Sequence, residues 1–179
     1  MQILLLLFLL FSNFFYSPNE NNSTFNYTNT KLGFSLELPT NWKGKVYIQE
    51  SDSRVSFMYK SVSGNEDAEL FDIFLISPIQ YKVHEEYVGF YRYFGQRDEL
   101  VIAKFSPTGV PYDDLNSLQK QDFDNFFILY KDVNSILETF KLTNEHDNSI
   151  YKQVIKESSV KDEEFRKEYE RIIRDELKN

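Results

Sequence analysis

The chain contains no cysteine among its 179 residues, and this absence excludes several kinds of structure. Without thiols there are no disulfides, no thiolate metal sites and no lipid-modified cysteine behind a leader peptide. The fold must therefore be stabilised by its apolar core. Aromatic side chains supply that core, because they make up 17% of the chain and each can bury a large area.

Histidine and glycine are also scarce, and their scarcity removes the common catalytic motifs. The two histidines, His84 and His146, lie far apart, and neither has a second histidine at the spacing of a zinc protease motif. The six glycines are isolated, so the sequence has neither a glycine-rich phosphate loop nor a glycine-flanked serine nucleophile. We predict no catalytic residue, no cofactor and no metal site, and a protein that is not an enzyme.

Basic residues are outnumbered by acidic ones, and the net charge is −8. No basic cluster interrupts this excess of negative charge. A phosphate backbone would repel such a chain, so we predict that it does not bind nucleic acid.

Four aspartates lie close together in the sequence: Asp113, Asp114, Asp122 and Asp124. The segment from Asp122 begins like a calcium-binding loop, but Phe127 and Val133 occupy the positions that need glycine and glutamate. We therefore predict that these carboxylates lie on a solvated helix face.

An apolar run opens the chain, and no charged residue precedes Glu20. It predicts a signal peptide or signal-anchor over residues 1–17, followed by a polar spacer over 18–30. The segment forms about 24 Å of helix against a bilayer core of about 30 Å, which favours a leader, whereas bulky residues at 12–17 disfavour cleavage. We expect an extracytoplasmic protein, either secreted or anchored to the membrane by this segment.

Alternating apolar and polar residues predict the strands. One strand is expected at 33–38, a hairpin at 46–50 and 55–60, a central strand at 70–76, and a second hairpin at 90–94 and 99–105 about a turn at 95–98. Asp72 is the polar exception in the central strand, which is otherwise apolar on both faces.

Two helical segments complete this part of the chain. Ser77 followed by Pro78 predicts the start of a first helix that ends at Gly89. From Leu118 to Phe140 apolar residues recur at steps of three and four, which predicts a helical stripe that ends near Leu142. Strands and helices in this order indicate an α+β fold with an antiparallel or mixed sheet and flanking helices.

Four segments carry a resemblance to a known family: residues 33–45, the strand around Phe71, residues 107–112 and residues 130–141. They resemble exported PsbP-like domains of Gram-positive bacteria. The resemblance covers residues 31–143 and implies an α/β/α sandwich with a role in assembly or interaction. It carries over no catalytic residue.

The tail, residues 144–179, is predicted to be a helical extension outside the PsbP-like pattern. Ser159 is placed to cap a helix of about 19 residues with one apolar face. This face is a possible partner-docking surface formed by Phe165, Tyr169, Ile172, Ile173 and Leu177. It is expected to dock on the chain's own domain, on an unknown protein partner, or on a second copy.

Together these patterns predict an exported, non-enzymatic interaction or assembly module of unknown partner. The alternative is a small-ligand-binding domain with a pocket lined by aromatic residues such as Tyr47, Phe57 or Tyr93. A hydrolase without a recognisable motif is a more distant alternative. Trp42 is predicted to cap the core rather than to bind a ligand.

Overall fold

The computed structural model describes residues 23–82, 91–107 and 109–176, with the backbone alone for 91, 165, 166 and 168–176. These ranges contain eight strands: β1 Thr24–Asn29, β2 Phe34–Pro39, β3 Val46–Glu50, β4 Arg54–Tyr59, β5 Ala68–Ile76, β6 Tyr91–Arg97, β7 Leu100–Phe105 and β8 Lys141–Leu142. They also contain four helices: α1 at 78–82, α2 Lys120–Tyr130, α3 Val133–Glu138 and α4 Asn148–Glu176. A short 3-10 helix spans Thr40–Trp42. The predicted α+β class is confirmed.

The strands form two antiparallel sheets. The smaller sheet has the order β1-β2-β8, and the larger has the order β3-β4-β5-β7-β6, so β5 is central as predicted. Alternate residues of β2 are buried, and β4 buries the apolar residues Val55, Phe57 and Tyr59. Phe34 and Leu36 therefore lie on one side of the core and Phe57 on the other. Within the larger sheet, the rings of Phe57 and Phe71 stack with their centroids 4.3 Å apart. Cross-strand pairs of this kind stabilise the sheet and close the core.

The predicted helical stripe from Leu118 to Leu142 is wrong in its ends and in its continuity. Leu118 precedes α2 and is exposed, and the chain turns at 131–132 before α3 begins. Leu142 lies in β8, opposite Phe34 of β2. Backbone pairing with β2 therefore replaces the last helical turn, while Phe126 and Val133 of the stripe enter the core.

The β6–β7 hairpin turns at Asp98 and Glu99 rather than at the predicted 95–98. Both residues have positive φ, 45° and 68°, as a two-residue hairpin turn requires. Gly95 lies within β6 instead, at a shift in the strand register. A Cβ atom at this glycine would lie 3.1 Å from Leu142 Cδ1, so Gly95 provides room for the side chain of Leu142 from β8.

The start of α1 is as predicted. The hydroxyl of Ser77 accepts a hydrogen bond from the Gln80 backbone N–H at 3.1 Å, which is the expected cap. The predicted end at Gly89 lies outside the described residues.

Part of the predicted spacer belongs to the folded sheet. Residues Thr24–Asn29 form β1, which pairs along its whole length with β2. Phe25 and Tyr27 are half-buried against the core, and the Tyr27 ring lies 5.5 Å from that of Phe57. The interpretation of 18–30 as a spacer is therefore wrong over β1, because backbone pairing with β2 and two alternating aromatic residues hold this polar segment on the fold.

The tail also contributes to the core. Helix α4 begins at Asn148, not at Ser159, and its first turns bury Ile150, Tyr151 and Val154. Tyr151 donates a hydrogen bond from its hydroxyl to the Leu32 carbonyl at 2.8 Å. Ser159 lies inside the helix and donates to the Lys156 carbonyl, so the predicted cap at this position is wrong. The packing therefore crosses the predicted domain boundary at 143.

Candidate functional site

The predicted docking face lies on the last turns of α4. The backbone at Phe165, Tyr169, Ile172 and Ile173 is helical, but their side chains, and Leu177 entirely, lie outside the described residues. The preceding turns dock on the chain's own domain, where the Ser77 hydroxyl donates to Asp162 Oδ1 at 2.7 Å. The first half of the helix therefore contacts the chain's own domain, whereas the docking of the predicted face stays a prediction.

Asp122 is fully buried, which corrects the prediction of a solvated position. It lies on the inward side of α2 together with Phe126 and Leu129, at steps of four and three residues. That spacing is the sequence signal that could have identified Asp122 as an inward residue. Its carboxylate accepts four short hydrogen bonds: from the Tyr59 hydroxyl at 2.7 Å, the Ser61 hydroxyl at 2.7 Å, the Val62 N–H at 2.8 Å and Asn65 Nδ2 at 2.8 Å.

These hydrogen bonds keep Asp122 ionised inside the protein. Burial alone would raise the pKa of its carboxyl, but the donors from Val62, Asn65, Ser61 and Tyr59 hold that pKa well below its usual range. Burial and the bond to Asp122 in turn raise the pKa of Tyr59 to about 12. We call this arrangement the Asp122 network.

The Asp122 network holds the loop at 60–67 against the start of α2, where a second loop, 112–118, meets it. The Tyr112 hydroxyl donates to the Glu66 carbonyl at 2.6 Å, and Asn65 Nδ2 donates to the Leu118 carbonyl at 3.2 Å. The two loops present exposed apolar side chains: Val62 at 57%, Leu115 at 90% and Leu118 at 77%. We call these three residues the loop junction surface.

Acidic residues border the loop junction surface. Glu66, Asp113 and Asp114 are all exposed on the same two loops. Asp113 also shapes its loop, because its Oδ1 accepts a hydrogen bond from the Leu115 N–H at 2.8 Å. The two loops therefore carry apolar side chains and three exposed carboxylates against one exposed lysine, Lys60, on a backbone held by hydrogen bonds.

A second cluster of charged groups lies on the outer face of the larger sheet, opposite the core. Arg54 of β4 contacts Asp72 Oδ2 and pairs with Glu69 Oε2 at 2.7 Å. Burial would lower the pKa of Arg54, but its hydrogen bonds and charge interactions with Asp72 and Glu69 raise it. Burial, the charge of Asp72 and a hydrogen bond to it raise the pKa of Glu69 to about 7.

Asp72 is the least satisfied member of this cluster. The residue is 1% exposed, and its Oδ1 has no hydrogen-bond partner among the described residues. It faces a cleft of about 280 Å³ that is lined by Ser53, Arg54, Asp72, Phe74, Leu75 and Phe105. The sequence does mark this residue as unusual, because Asp72 is the polar exception in a central strand that is otherwise apolar.

A cleft of about 410 Å³ lies between the start of β1 and the end of α3. Five of its ten lining residues carry hydroxyl groups, and Glu37 and Asp132 add carboxylates. Asp132 accepts a hydrogen bond from the indole N–H of Trp42 at 3.2 Å, and Glu37 lies 3.9 Å from Lys141 Nζ. Trp42 itself is buried in the core, as predicted.

The predicted aromatic pocket is not formed. Phe57 is buried in the core, whereas Tyr47 and Tyr93 are exposed on β3 and β6, the two opposite edges of the larger sheet. Tyr47 donates its hydroxyl to Asp67 Oδ2 at 3.0 Å. Tyr47 pairs with Met58, the residue after Phe57, and alternation along β4 therefore places Tyr47 on the face opposite Phe57. Tyr93 is separated from both because β6 is the far edge of the sheet.

His84 lies outside the described residues, whereas His146 is placed beside the β6–β7 turn. Its Nε2 lies 3.2 Å from Asp98 Oδ2, and its ring meets that of Tyr151 edge-on. Among the residues that the structure describes, no three His, Asp or Glu side chains are grouped to hold a metal ion. In the same ranges, no helix has the length and apolar character needed to cross a bilayer.

Comparison with family models, curated proteins and solved structures finds no match for this chain.

Proposed function

We propose that this chain is a non-enzymatic interaction module whose loop junction surface binds a protein partner with an apolar, positively charged face. The observation that supports it is the exposure of Val62, Leu115 and Leu118 on loops that a buried carboxylate holds in place. A group of apolar side chains exposed on two adjoining loops is typical of an interaction surface. The acidic rim favours a basic partner and repels an acidic one.

The Asp122 network supports binding by ordering the surface in advance. Loops that are already fixed lose less conformational entropy when a partner binds. Burying the three apolar side chains would gain roughly 5 to 9 kcal/mol, which is comparable to the cost of association. We therefore expect a transient complex whose affinity depends strongly on the rim charges.

The proposal places the module outside the cytoplasm. The support is the apolar, uncharged segment that precedes the polar residues before β1. Cell fractionation with intact-mass measurement tests it, because secretion, membrane retention and cytoplasmic residence give different fractions and masses. A cytoplasmic protein with Met1 retained would contradict this location.

The resemblance to PsbP-like domains, with the assembly role that it implies, stays a prediction.

Two synthetic helical peptides of opposite charge test the interaction surface. One peptide carries leucine on one face of the helix and lysine on the other face. In the second peptide, every lysine is replaced by glutamate. We expect the lysine peptide to shift the amide resonances of Val62, Leu115 and Leu118 in a saturable manner, and the glutamate peptide to leave them unchanged. The double variant Leu115→Asp with Leu118→Asp should lose the lysine-peptide response.

The matched control is Val160→Asp, which introduces the same charge at another exposed apolar residue, on α4. This variant should bind the lysine peptide as the wild type does. Equal responses to both peptides, or resonance shifts confined to other regions, would contradict the proposed surface. If the control also lost binding, the effect of the substitutions would come from the added negative charge in general and not from the loop junction surface.

A further inference from the structure

We infer that the outer face of the larger sheet holds a separate small-ligand site, centred on Asp72, for a primary ammonium group carried on a short apolar chain. This site is independent of the loop junction surface. It involves other strands and other residues, so either proposal can fail alone.

The position of Asp72 is the first step. It lies in β5, the middle strand of five, with Ser56 of β4 and Phe105 of β7 as its cross-strand neighbours. A carboxylate at the centre of a sheet is costly to bury unless both of its oxygens are compensated. Native proteins satisfy nearly all buried polar atoms, and an exception calls for an explanation, of which a bound group is one.

The charges around Asp72 leave a negative excess. Arg54 serves two carboxylates at once, Asp72 through Oδ2 and Glu69 through Oε2. Above the pKa of Glu69, about 7, one cation against two ionised carboxylates leaves a net charge of minus one on the cluster. Because Asp72 Oδ1 has no partner among the described residues, it is the acceptor that remains for a further donor.

The cleft beside Asp72 has room and walls of the right kind. Its volume of about 280 Å³ suits a small molecule, and Phe74, Leu75 and Phe105 provide apolar surface next to the carboxylate. An ammonium group can donate a hydrogen bond to Oδ1 and neutralise the excess charge, while its alkyl chain covers the apolar wall.

Other ligand chemistries fit less well. A neutral alcohol would supply a hydrogen bond but leave the charge, and a quaternary ammonium would supply the charge without an N–H donor. A divalent metal ion requires several oxygen ligands, and none of the described residues forms such a group. These differences define the probes for the test.

The test is an NMR titration of the full chain with n-butylammonium, n-butanol and tetramethylammonium. It is carried out at about pH 8, above the pKa of Glu69. We expect n-butylammonium to shift the resonances of Ser53, Phe74 and Leu75 in a saturable manner, and the other two probes to bind at least tenfold more weakly. The expected weakening for Asp72→Asn is also at least tenfold.

Asp52→Asn is the matched control, because Asp52 is an exposed carboxylate on the nearby β3–β4 turn. It should leave the titration unchanged. If Asp72→Asn does not fold, Glu69→Gln replaces it, because it removes the excess charge and leaves Asp72 in place. Binding of n-butylammonium should then weaken several-fold.

Several outcomes would overturn the site. Equal binding of n-butanol would indicate an apolar cleft alone, and equal binding of tetramethylammonium would indicate charge attraction without a hydrogen bond. Resonance shifts located away from the cleft, or none at the solubility limit of n-butylammonium, would also reject it. An unchanged titration in both Asp72→Asn and Glu69→Gln would remove the assigned role of the carboxylates.

Discussion

Asp122 contributes to the fold and to the proposed function through the same hydrogen bonds. Its neighbours in the sequence are mostly polar, yet its carboxylate joins α2 to β4 and to the loop that follows. The loop carries Val62, one of the three exposed apolar residues of the proposed surface. A change at Asp122 should therefore reduce stability and also loosen the loop junction surface.

We predict that Asp122→Asn lowers the free energy of unfolding by about 2 to 4 kcal/mol. The amide cannot accept the full set of hydrogen bonds, so buried donors from Tyr59, Ser61 and Val62 lose their charged acceptor. Urea denaturation measures the change. Asp124→Asn is the control on the same helix, where an exposed pair with Lys120 is worth less than about 0.5 kcal/mol. Equal effects of the two substitutions would contradict the role of the Asp122 network.

Glu69 gives the second prediction at this scale, a fall in stability as the pH rises from about 4.5 to about 7. The folded-state pKa is raised from 4.5 to about 7, so the folded protein keeps a proton that the unfolded chain has already lost. The proton-bound state is favoured at lower pH, and its advantage disappears as the pH rises through that interval.

Urea denaturation across this pH range tests the Glu69 prediction. Glu69→Gln should remove this component of the pH dependence, because the amide does not titrate. The matched control is Glu66→Gln, because Glu66 is an exposed carboxylate in the loop between β4 and β5. This variant should keep the wild-type dependence of stability on pH. A wild-type slope that persists in Glu69→Gln would assign the effect to another group.

Among the elements, the β6–β7 hairpin shows how a local conformation is imposed by its surroundings. Asp98 and Glu99 both have positive φ, although glycine or asparagine would adopt this conformation with less strain. Asp98 gains the contact with His146 Nε2, whereas Glu99 is exposed and no hydrogen bond or ion pair is described for its side chain. The strain at Glu99 can therefore be relieved without loss of a described contact.

We predict that Glu99→Gly stabilises the protein by about 0.5 to 1 kcal/mol. Glycine adopts positive φ without the steric penalty of a Cβ atom, and this gain exceeds its greater entropy in the unfolded chain. Glu99→Ala is the control, because it removes the same carboxylate but keeps the Cβ atom. Thermal unfolding of the three proteins should rank glycine above both others. If alanine stabilises as much as glycine, loss of the charge is responsible and backbone strain is not.

On the scale of the whole molecule, the packing joins parts of the chain that lie far apart in sequence. Strand β1 precedes the predicted domain, and the first turns of α4 follow it, yet both contact the same core. The backbone of Gly33 also accepts a hydrogen bond from Thr143, and Lys31 accepts one from Asp147. The folded unit therefore extends beyond residues 31–143 at both ends.

We predict that a chain ending at Thr143 loses cooperative unfolding, whereas a chain ending at Glu164 keeps it. The shorter chain lacks Ile150, Tyr151 and Val154, whose burial contributes roughly 5 to 9 kcal/mol in total. That contribution is comparable to the whole stability of a typical domain. Circular dichroism with urea denaturation compares the two chains. A cooperative transition in the shorter chain would support the domain boundary at 143 that the sequence predicts.

Local patterns in the sequence were enough for the elements whose signals lie in neighbouring residues. They predicted β2, the β3–β4 hairpin, the central position of β5 and the capped start of α1. Each of these features depends on neighbouring residues: a period of two positions, a turn, or a hydroxyl three residues before an amide. The α+β class follows from the order of such elements, so the sequence determined it.

The tertiary structure decided the features that depend on distant partners. Asp122 and Tyr59 are 63 positions apart, and Tyr151 reaches Leu32 across 119 positions. Whether a polar side chain is buried depends on the donors that surround it, and whether a polar segment becomes a strand depends on the edge that is free to pair with it. Neither is visible in local periodicity, because hydrophobic pattern records the preference of a side chain for burial and not the position of its partners.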